Sequence, residues 1–469
     1  MVVTSRSEAL AGVWSALGGD PGDLEHVRIS NEQPIYASHF GVDTAATATI
    51  GASALAAARV WRERTERWQQ AEIDARHASV AYRSERLLRA GGEPVGEQWH
   101  DVSGYYPTAD GRYIHLHCNF PHFRARTLEV LGAEENRDDI ARACAQWNAF
   151  DLEETVIAAR SCAFMLRSRD EWHAHPQGQA LATLPLLTIT RHDDGSPPEP
   201  LSDAPASEDE MPLSGVRVLD LTRVIAGPLC GRTLASYGAE VLRVGAEHLP
   251  LSRRLAADTS FGKRFAFLDL REEEGQQRLR ELAASAGVVV QGYRPGTLAG
   301  RGYGFEAIRE LRPGIVYLSL SAWSEAGPWS QRRGYDSLVQ TASGIALEGG
   351  LRAGVEVRPL PAQALDHSVG YLAAAAVMTA LARRAREGGS YEIRVSLAQT
   401  GRWFDALGRV DEPADHDPGV EDIADLTAPM ASEWGDLAYV RPAGVLSETP
   451  PRWTRPPALP GADEAAWAA

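Results

Sequence analysis

The sequence predicts an α/β protein with a doubly wound parallel sheet, and three observations carry that expectation. From residue 213 on, short apolar runs rich in Val, Ile and Leu alternate with stretches at helical spacing, the pattern of parallel strands covered on both faces. Residues 193–212, DDGSPPEPLSDAPASEDEMP, hold Pro, Ser and acidic side chains without apolar periodicity, which marks a linker. The 192 residues ahead of it mix an Ala-rich helix, a hairpin signal and several short helices, the makings of a smaller α+β unit.

Taken in order, 7–17 is expected to be a short helix. Residues 44–67 form a longer one, with Asp43 as its N-cap. The stretch YYPTADGRYIHLHC reads as a hairpin turning at Asp110-Gly111, with Tyr113, His115 and His117 alternating along its second strand. Helices follow at 123–131, 137–148, 152–161 and 169–174, and the ALATLPLLTITR stretch ends strand-like. Beyond the linker come the strand GVRVLDL, a helix stopping at Gly238, the strands AEVLRVG and KRFAFLDL, and the helix REEEGQQRLRELAASAG. The strand GVVVQGY, a helix over FEAIRELRPG and the strand IVYLSLSAW complete the alternation. Residues 410–469 are rich in Asp and Pro and are expected to be an extended C-terminal tail, in which SETPPRWTRPPALPG (447–461) lies as a polyproline-like strap. GVD and ALD each open an Ala-rich helix that runs into basic residues and then AEIDARHA or YEIRVSLA. That echo is compatible with duplication of a half-domain, although Ala richness alone can imitate it.

A chain of 469 residues is long enough for two or three lobes. With 44% hydrophobic and 23% charged residues it has globular composition. Its 47 basic against 63 acidic side chains, a net charge of −16, argue against nucleic acid or an acidic membrane as the main partner. Four cysteines without a CxxC pair suggest neither a disulfide framework nor a thiolate zinc site. No secretory signal and no uninterrupted apolar run of spanning length stand in the sequence; a cytoplasmic protein is expected.

Ligands of open parallel sheets collect in the loops after the strands' C-terminal edges. Here those loops carry Arg223, Arg271, Arg294, Arg301, Arg332 and Arg333, and a helix starts near Pro228, a fair seat for phosphates. Each arginine alone is more simply a solvated surface group; their recurrence in these loops favours a ligand. A dinucleotide dehydrogenase needs GxGxxG straight after its first strand, but the turn here is TRVIAGP. P-loop, GxSxG and HExxH motifs are absent. His115, His117, Cys118 and His122 lack a third ligand of fixed geometry, so no metal is expected. Asp366 heads a long helix among small residues, where the helix N-terminus would keep it ionised. It reads either as a plain N-cap or as a carboxylate nucleophile that attacks a thioester.

The ordered stretches LSGVRVLDLTRVIAGPLCGRTLASYGAEVLRV, GKRFAFLDLR, VVVQGYRPGTL, RPGIVYLSLSAWSEAGPW, GYDSLVQTASG and ALDHSVGYLAAAAVMTAL closely resemble the class III CoA-transferase family, the CaiB/BaiF type. DGRYIHLHC and SRDEWHAHPQG resemble pieces of its smaller domain, so residues 1–192 correspond to a site helix and small domain placed ahead of the Rossmann-like domain at 213–409. The resemblance implies transfer of CoA between an acyl-CoA and a carboxylic acid, with Asp366 carrying acyl and then CoA. It implies CoA contacts at Arg223, Ile225 and Ala226, at Leu268, Asp269, Leu270 and Arg271, at Gly292, Tyr293 and Arg294, and at Arg333, Gly334, Tyr335 and Asp336. It implies an interlaced homodimer and no metal. The sequence departs from the family in domain order. It also lacks a clear match to the Gly-rich loop that covers the aspartate, for which AGGEPVG at 90–96 is the candidate. Tyr335 stands where racemase members carry His, which favours transfer. An acyl-CoA racemase, needing His367 turned into the site, and a non-catalytic CoA-binding subunit are the alternatives.

Overall fold

The structure, a computed structural model, describes residues 3–97, 99–201 and 210–468. Its centre is a seven-stranded sheet running Lys263–Phe267, Glu240–Gly245, Arg217–Leu221, Val288–Gln291, Val316–Ser321, Ser390–Ser396 and Leu187–His192. The first six are parallel neighbours. In chain order the strands go outward from Arg217–Leu221 to one edge, then restart on its other side at Val288–Gln291. That reversal makes a crevice between two strands whose loops diverge, where open α/β sheets bind ligands. β-Branched runs such as Val288-Val289-Val290 suit strands covered on both faces, and all three are buried.

The seventh strand comes from ahead of the linker. Leu187–His192 pairs antiparallel with Ser390–Ser396, Ile189 opposite Ile393, so the residues before 193 complete the sheet built after 213. The linker itself is pinned where it is described. Asp194 accepts from the Ser390 hydroxyl and, at 3.2 Å, from the Gly314 amide. Glu199 accepts from Arg312 at 2.8 Å. The linker expectation over 202–209 lies outside the described residues.

The predicted echo has a structural counterpart. Val42–Thr65 and Ala364–Glu387, each 24 residues, pack against one another along their Ala-rich faces. Each is followed by a strand, Ala71–Asp74 or Ser390–Ser396, and then a helix, Ala75–Ala81 or Leu397–Ala406. Ala71–Asp74 lies between a parallel strand, Val27–Ser30, and an antiparallel one, Val445–Leu446. Ser390–Ser396 likewise lies between parallel Val316–Ser321 and antiparallel Leu187–His192. Ala364–Glu387 also packs closely on the Ala226–Ser236 helix, where a Cβ on Gly370 would sit 2.8 Å from Leu229. Ala364–Glu387 is long and apolar enough to cross a membrane, yet that whole window is buried inside the fold.

Three local expectations change. Asp43 is not the N-cap of its helix; Gly41 is, and the Asp43 carboxylate turns back to accept the Ile35 amide at 3.1 Å. AGGEPVG forms the tight turn between Arg89–Ala90 and Glu93–Pro94, with Gly91 and Gly92 at φ of 57° and 88°. It does not line the Asp366 cavity described below. The tail is only partly a strap. Thr427–Ser432 and Gly435–Val440 form a hairpin that joins the Arg89–Ala90 strand, because alternating side chains there outweigh the surrounding Pro and Asp.

Candidate active site

The site begins at the end of Arg217–Leu221. Asp220 is fully buried, and one carboxylate oxygen receives Lys263 Nζ at 2.7 Å while the same ammonium reaches Pro228 O at 2.6 Å. The other oxygen receives the Thr222 amide at 3.0 Å and the Thr222 hydroxyl. Burial, only partly offset by Asp220, pulls the Lys263 ammonium down to about 8. This clamp forces a tight reversal. Val224 takes φ of 72°, a left-handed conformation costly for a β-branched residue, and a Cβ on Gly227 would lie 2.4 Å from Thr222. The reversal presents the Ala226 amide at the head of Ala226–Ser236.

That amide faces the carboxylate of Asp366 and favours its charged form; Asp366 is 7% exposed in the first turn of Ala364–Glu387. The helix has no side-chain cap of its own at Gln363. Instead Asp336, fully buried at the start of Asp336–Ala342, accepts the Leu365 and Asp366 amides on one oxygen at 2.8 and 2.9 Å. Gln340 donates to its other oxygen.

The expectation that the helix start keeps Asp366 ionised is therefore reversed. Its carboxyl is pushed well above the usual range by burial, then by the charges of Asp336 and Glu85, against the Ala226 amide. The amides that would have lowered it serve Asp336 instead. Burial raises Asp336 itself to about 6, its amide and Gln340 bonds notwithstanding.

Asp366 opens on a cavity of about 290 Å³ over the sheet's reversal point. Of the residues expected to contact CoA, the structure gathers Arg223, Ala226, Gly292, Tyr293, Arg294, Arg333, Gly334 and Tyr335 on its wall. Arg332 lines it as well, but is tied to Glu153 and Glu154 at 3.4 and 2.8 Å. Arg223, Arg294 and Arg333 pair with no carboxylate among the described residues. Arg223 reaches Pro250 O, Arg294 reaches Gln331 O at 3.2 Å, and Arg333 lies 5.7 Å over the Phe123 ring. Three unneutralised guanidiniums beside a cavity make an anion seat.

The remaining expected contacts do not join this wall. Leu268, Asp269, Leu270 and Arg271 follow the edge strand, away from the reversal point, and Arg271 folds onto Asp269 at 2.9 Å. Ile225 is buried, its carbonyl accepting the Leu229 amide at 2.7 Å. Asp336 sits behind the wall, serving the helix.

Sequence reasoning missed the opposite wall, Phe120, His122 and Phe123, which comes from before the linker. From the sequence the HCNFPHF stretch stands out only through His117, Cys118 and His122, and its place in the crevice is set by tertiary packing. The His117 ring stacks on Tyr335 at 4.1 Å with 8° between planes, and burial lowers it to about 3. Glu85, also missed, receives His367 Nε2 at 3.0 Å. Burial opposes its charge, but His367 holds the Glu85 carboxyl down at about 2. Among the described residues, no three His, Cys, Asp or Glu side chains are grouped to hold a metal.

The profile of CoA-transferase family III matches residues 7–194 and 213–410. The chain belongs to CoA-transferase family III. Both matched segments of this family III chain line the cavity, the first through Phe120, His122 and Phe123 and the second through Asp366 and the arginines. It is 32% identical over 329 residues to the acetyl-coenzyme A transferase nodX of Hypoxylon pulicicidum, covering 66% of this chain and 56% of that protein. It is 29% identical over 417 residues to an acyl-CoA transferase of Gibberella moniliformis, 84% of this chain and 69% of that one. It is 34% identical over 198 residues to human succinyl-CoA:glutarate CoA-transferase, 40% of this chain and 45% of that protein. The chain thus spans about half to two thirds of the length of these relatives.

Proposed function

We propose that this chain transfers coenzyme A between an acyl-CoA and a carboxylic acid through a covalent intermediate on Asp366. The observation that supports it most is a cavity-facing carboxylate, lone among the described residues that line the cavity and faced by the Ala226 amide, beside three guanidiniums that pair with no carboxylate among the described residues. An Asp366 oxygen attacks the thioester carbonyl carbon, the C–S bond breaks, and CoA leaves as thiolate with an aspartyl mixed anhydride behind it. The thiolate then attacks the aspartyl carbonyl, releasing the first carboxylate and leaving an Asp366–CoA thioester. The acceptor carboxylate attacks that thioester, and the returning thiolate takes the new acyl group and frees Asp366. The Ala226 N–H is placed to stabilise charge on the aspartyl oxygen, and Arg223, Arg294 and Arg333 to hold phosphate or carboxylate. Relatives named acetyl-coenzyme A, acyl-CoA and succinyl-CoA:glutarate transferases support this reading.

Racemisation draws less support, because His367 is taken up by Glu85 and does not line the cavity. The test is trapping: acyl-CoA followed by hydroxylamine or borohydride, with the modified residue located by mass. An adduct on Asp366 and loss of turnover in Asp366→Ala are expected. No adduct together with undiminished turnover in that variant sinks the mechanism. Tight CoA binding without turnover favours a binding subunit, and deuterium wash-in at the acyl α-carbon favours racemisation.

A further inference from the structure

The first turn of Ala364–Glu387 is held by a residue thirty positions upstream. Asp336 is completely buried and does not line the cavity, so substrate cannot reach it. One of its oxygens receives two consecutive amides of that turn, Leu365 and Asp366. The other is fixed by Gln340, whose own carbonyl accepts the Leu360 amide at 2.7 Å. An i,i+4 pair on one helix therefore clamps the chain at 360 and again at 365–366, on both sides of the bend where the next helix starts. Gln363 supplies no cap of its own, so the amides have no alternative partner in sequence.

We infer that Asp336 is a positioning residue for the transfer: its carboxylate fixes the helix turn that aims Asp366 at the Ala226 amide and the cavity. The inference rests on the reading of Asp366 as nucleophile. It replaces the direct CoA contact expected of Asp336 with an action through another residue.

The same arrangement has an electrostatic consequence. The groups facing Asp366 are Asp336 from Asp336–Ala342, Glu85 from Ser84–Leu87, Tyr335 ahead of the former, and the Ala226 amide. Arg223 and Arg333 share the cavity. Among the described residues facing Asp366, Asp336 and Glu85 add negative charge, and both disfavour ionised Asp366. A nucleophile so held is more basic than an exposed aspartate, which favours its attack on a thioester once deprotonated.

Asp336→Asn keeps the volume and one acceptor oxygen but removes the charge. Removing a neighbouring negative charge lowers the Asp366 pKa, so the acid limb of the kcat profile should move to lower pH by about one unit. Misaiming the nucleophile should also lower the plateau kcat by roughly 10- to 100-fold, with acyl-CoA affinity unchanged. An unmoved acid limb with weakened CoA binding would make Asp336 a CoA contact and overturn the inference. An unmoved limb with unmoved kcat would overturn it too. Should Asp336→Asn not fold, Gln340→Leu loosens the clamp from its far side. A fall in kcat at constant KM supports the inference, and wild-type kinetics defeat it. Titrating the Asp366 carboxyl by 13C NMR in both proteins separates the two readings. A downward shift in Asp336→Asn stands even if wild type transfers no CoA, in which case only the proposed function fails.

Discussion

Two aspartates, Asp43 and Asp366, stand in the first turns of two 24-residue Ala-rich helices that pack side by side. Both are nearly buried, and burial raises both carboxyls. Helix, following strand and following helix repeat in the same order. The surroundings differ. The sheet beside Asp43 has three strands and no reversal point among the described residues, and one oxygen of Asp43 accepts the Ile35 amide. The sheet beside Asp366 has seven, and its reversal point supplies the Ala226 amide and the open wall of arginines. An aspartate heading a small-residue helix is thus a structural motif on its own. It acquires chemistry only where a crevice meets it, and a raised pKa does not tell the two apart.

The sharpest way to break this comparison is to neutralise each aspartate. Asp366→Asn should lower CoA exchange by at least about 10³-fold, while Asp43→Asn should leave it within a few-fold and cost about 1 kcal/mol in urea unfolding. Equal losses in both would mean that the first helix also heads a working site. Next in size, Arg223→Ala and Arg333→Ala should each raise the KM for acyl-CoA roughly 10- to 100-fold, the worth of a charge-assisted bond. High salt should reproduce part of that effect.

A third measurement addresses the seam between the halves, where Glu85 of the first meets His367 of the second. The folded Glu85 carboxyl lies near 2 against an ordinary 4.5, a depressed value. Its contribution is complete above about pH 4.5 and is lost as pH falls toward 2, roughly 2–3 kcal/mol over that window. Glu85→Gln should flatten the acid unfolding curve there, and an unchanged curve would remove Glu85 from the seam. The smallest effect concerns dilution. Because both walls of the Asp366 cavity come from one chain, specific activity should be constant across protein concentration. A fall on dilution would mean that the interlaced homodimer expected from the family is needed for the site to work.

The alternation of strands and helices after 213, the arginine-bearing loops and the prominence of Asp366 were all legible in the sequence, because each is written in local spacing. What was not legible depended on where distant segments meet. Leu187–His192 reads as a strand, but nothing local says that it closes the sheet of the other segment. The family resemblance makes Asp336 a CoA contact, whereas folding turns its carboxylate inward to amides 29 and 30 residues away. The reversed expectation for Asp366 follows from the same cause, since its helix amides were assigned without knowing that another carboxylate would take them. Phe120 and Phe123 reach the crevice only through the packing of the first segment onto the second.

The seventh strand also has a consequence for how the protein is made. Leu187–His192 is synthesised about 200 residues before its partner Ser390–Ser396, so during translation it waits as a bare edge while the rest of its sheet does not yet exist. Contacts of such long sequence separation close late and slow the final step of folding. The waiting edge is guarded by its own composition: Thr190 and Arg191 are exposed, and Thr188 and His192 are only partly covered, side chains that discourage a stray strand from another nascent chain.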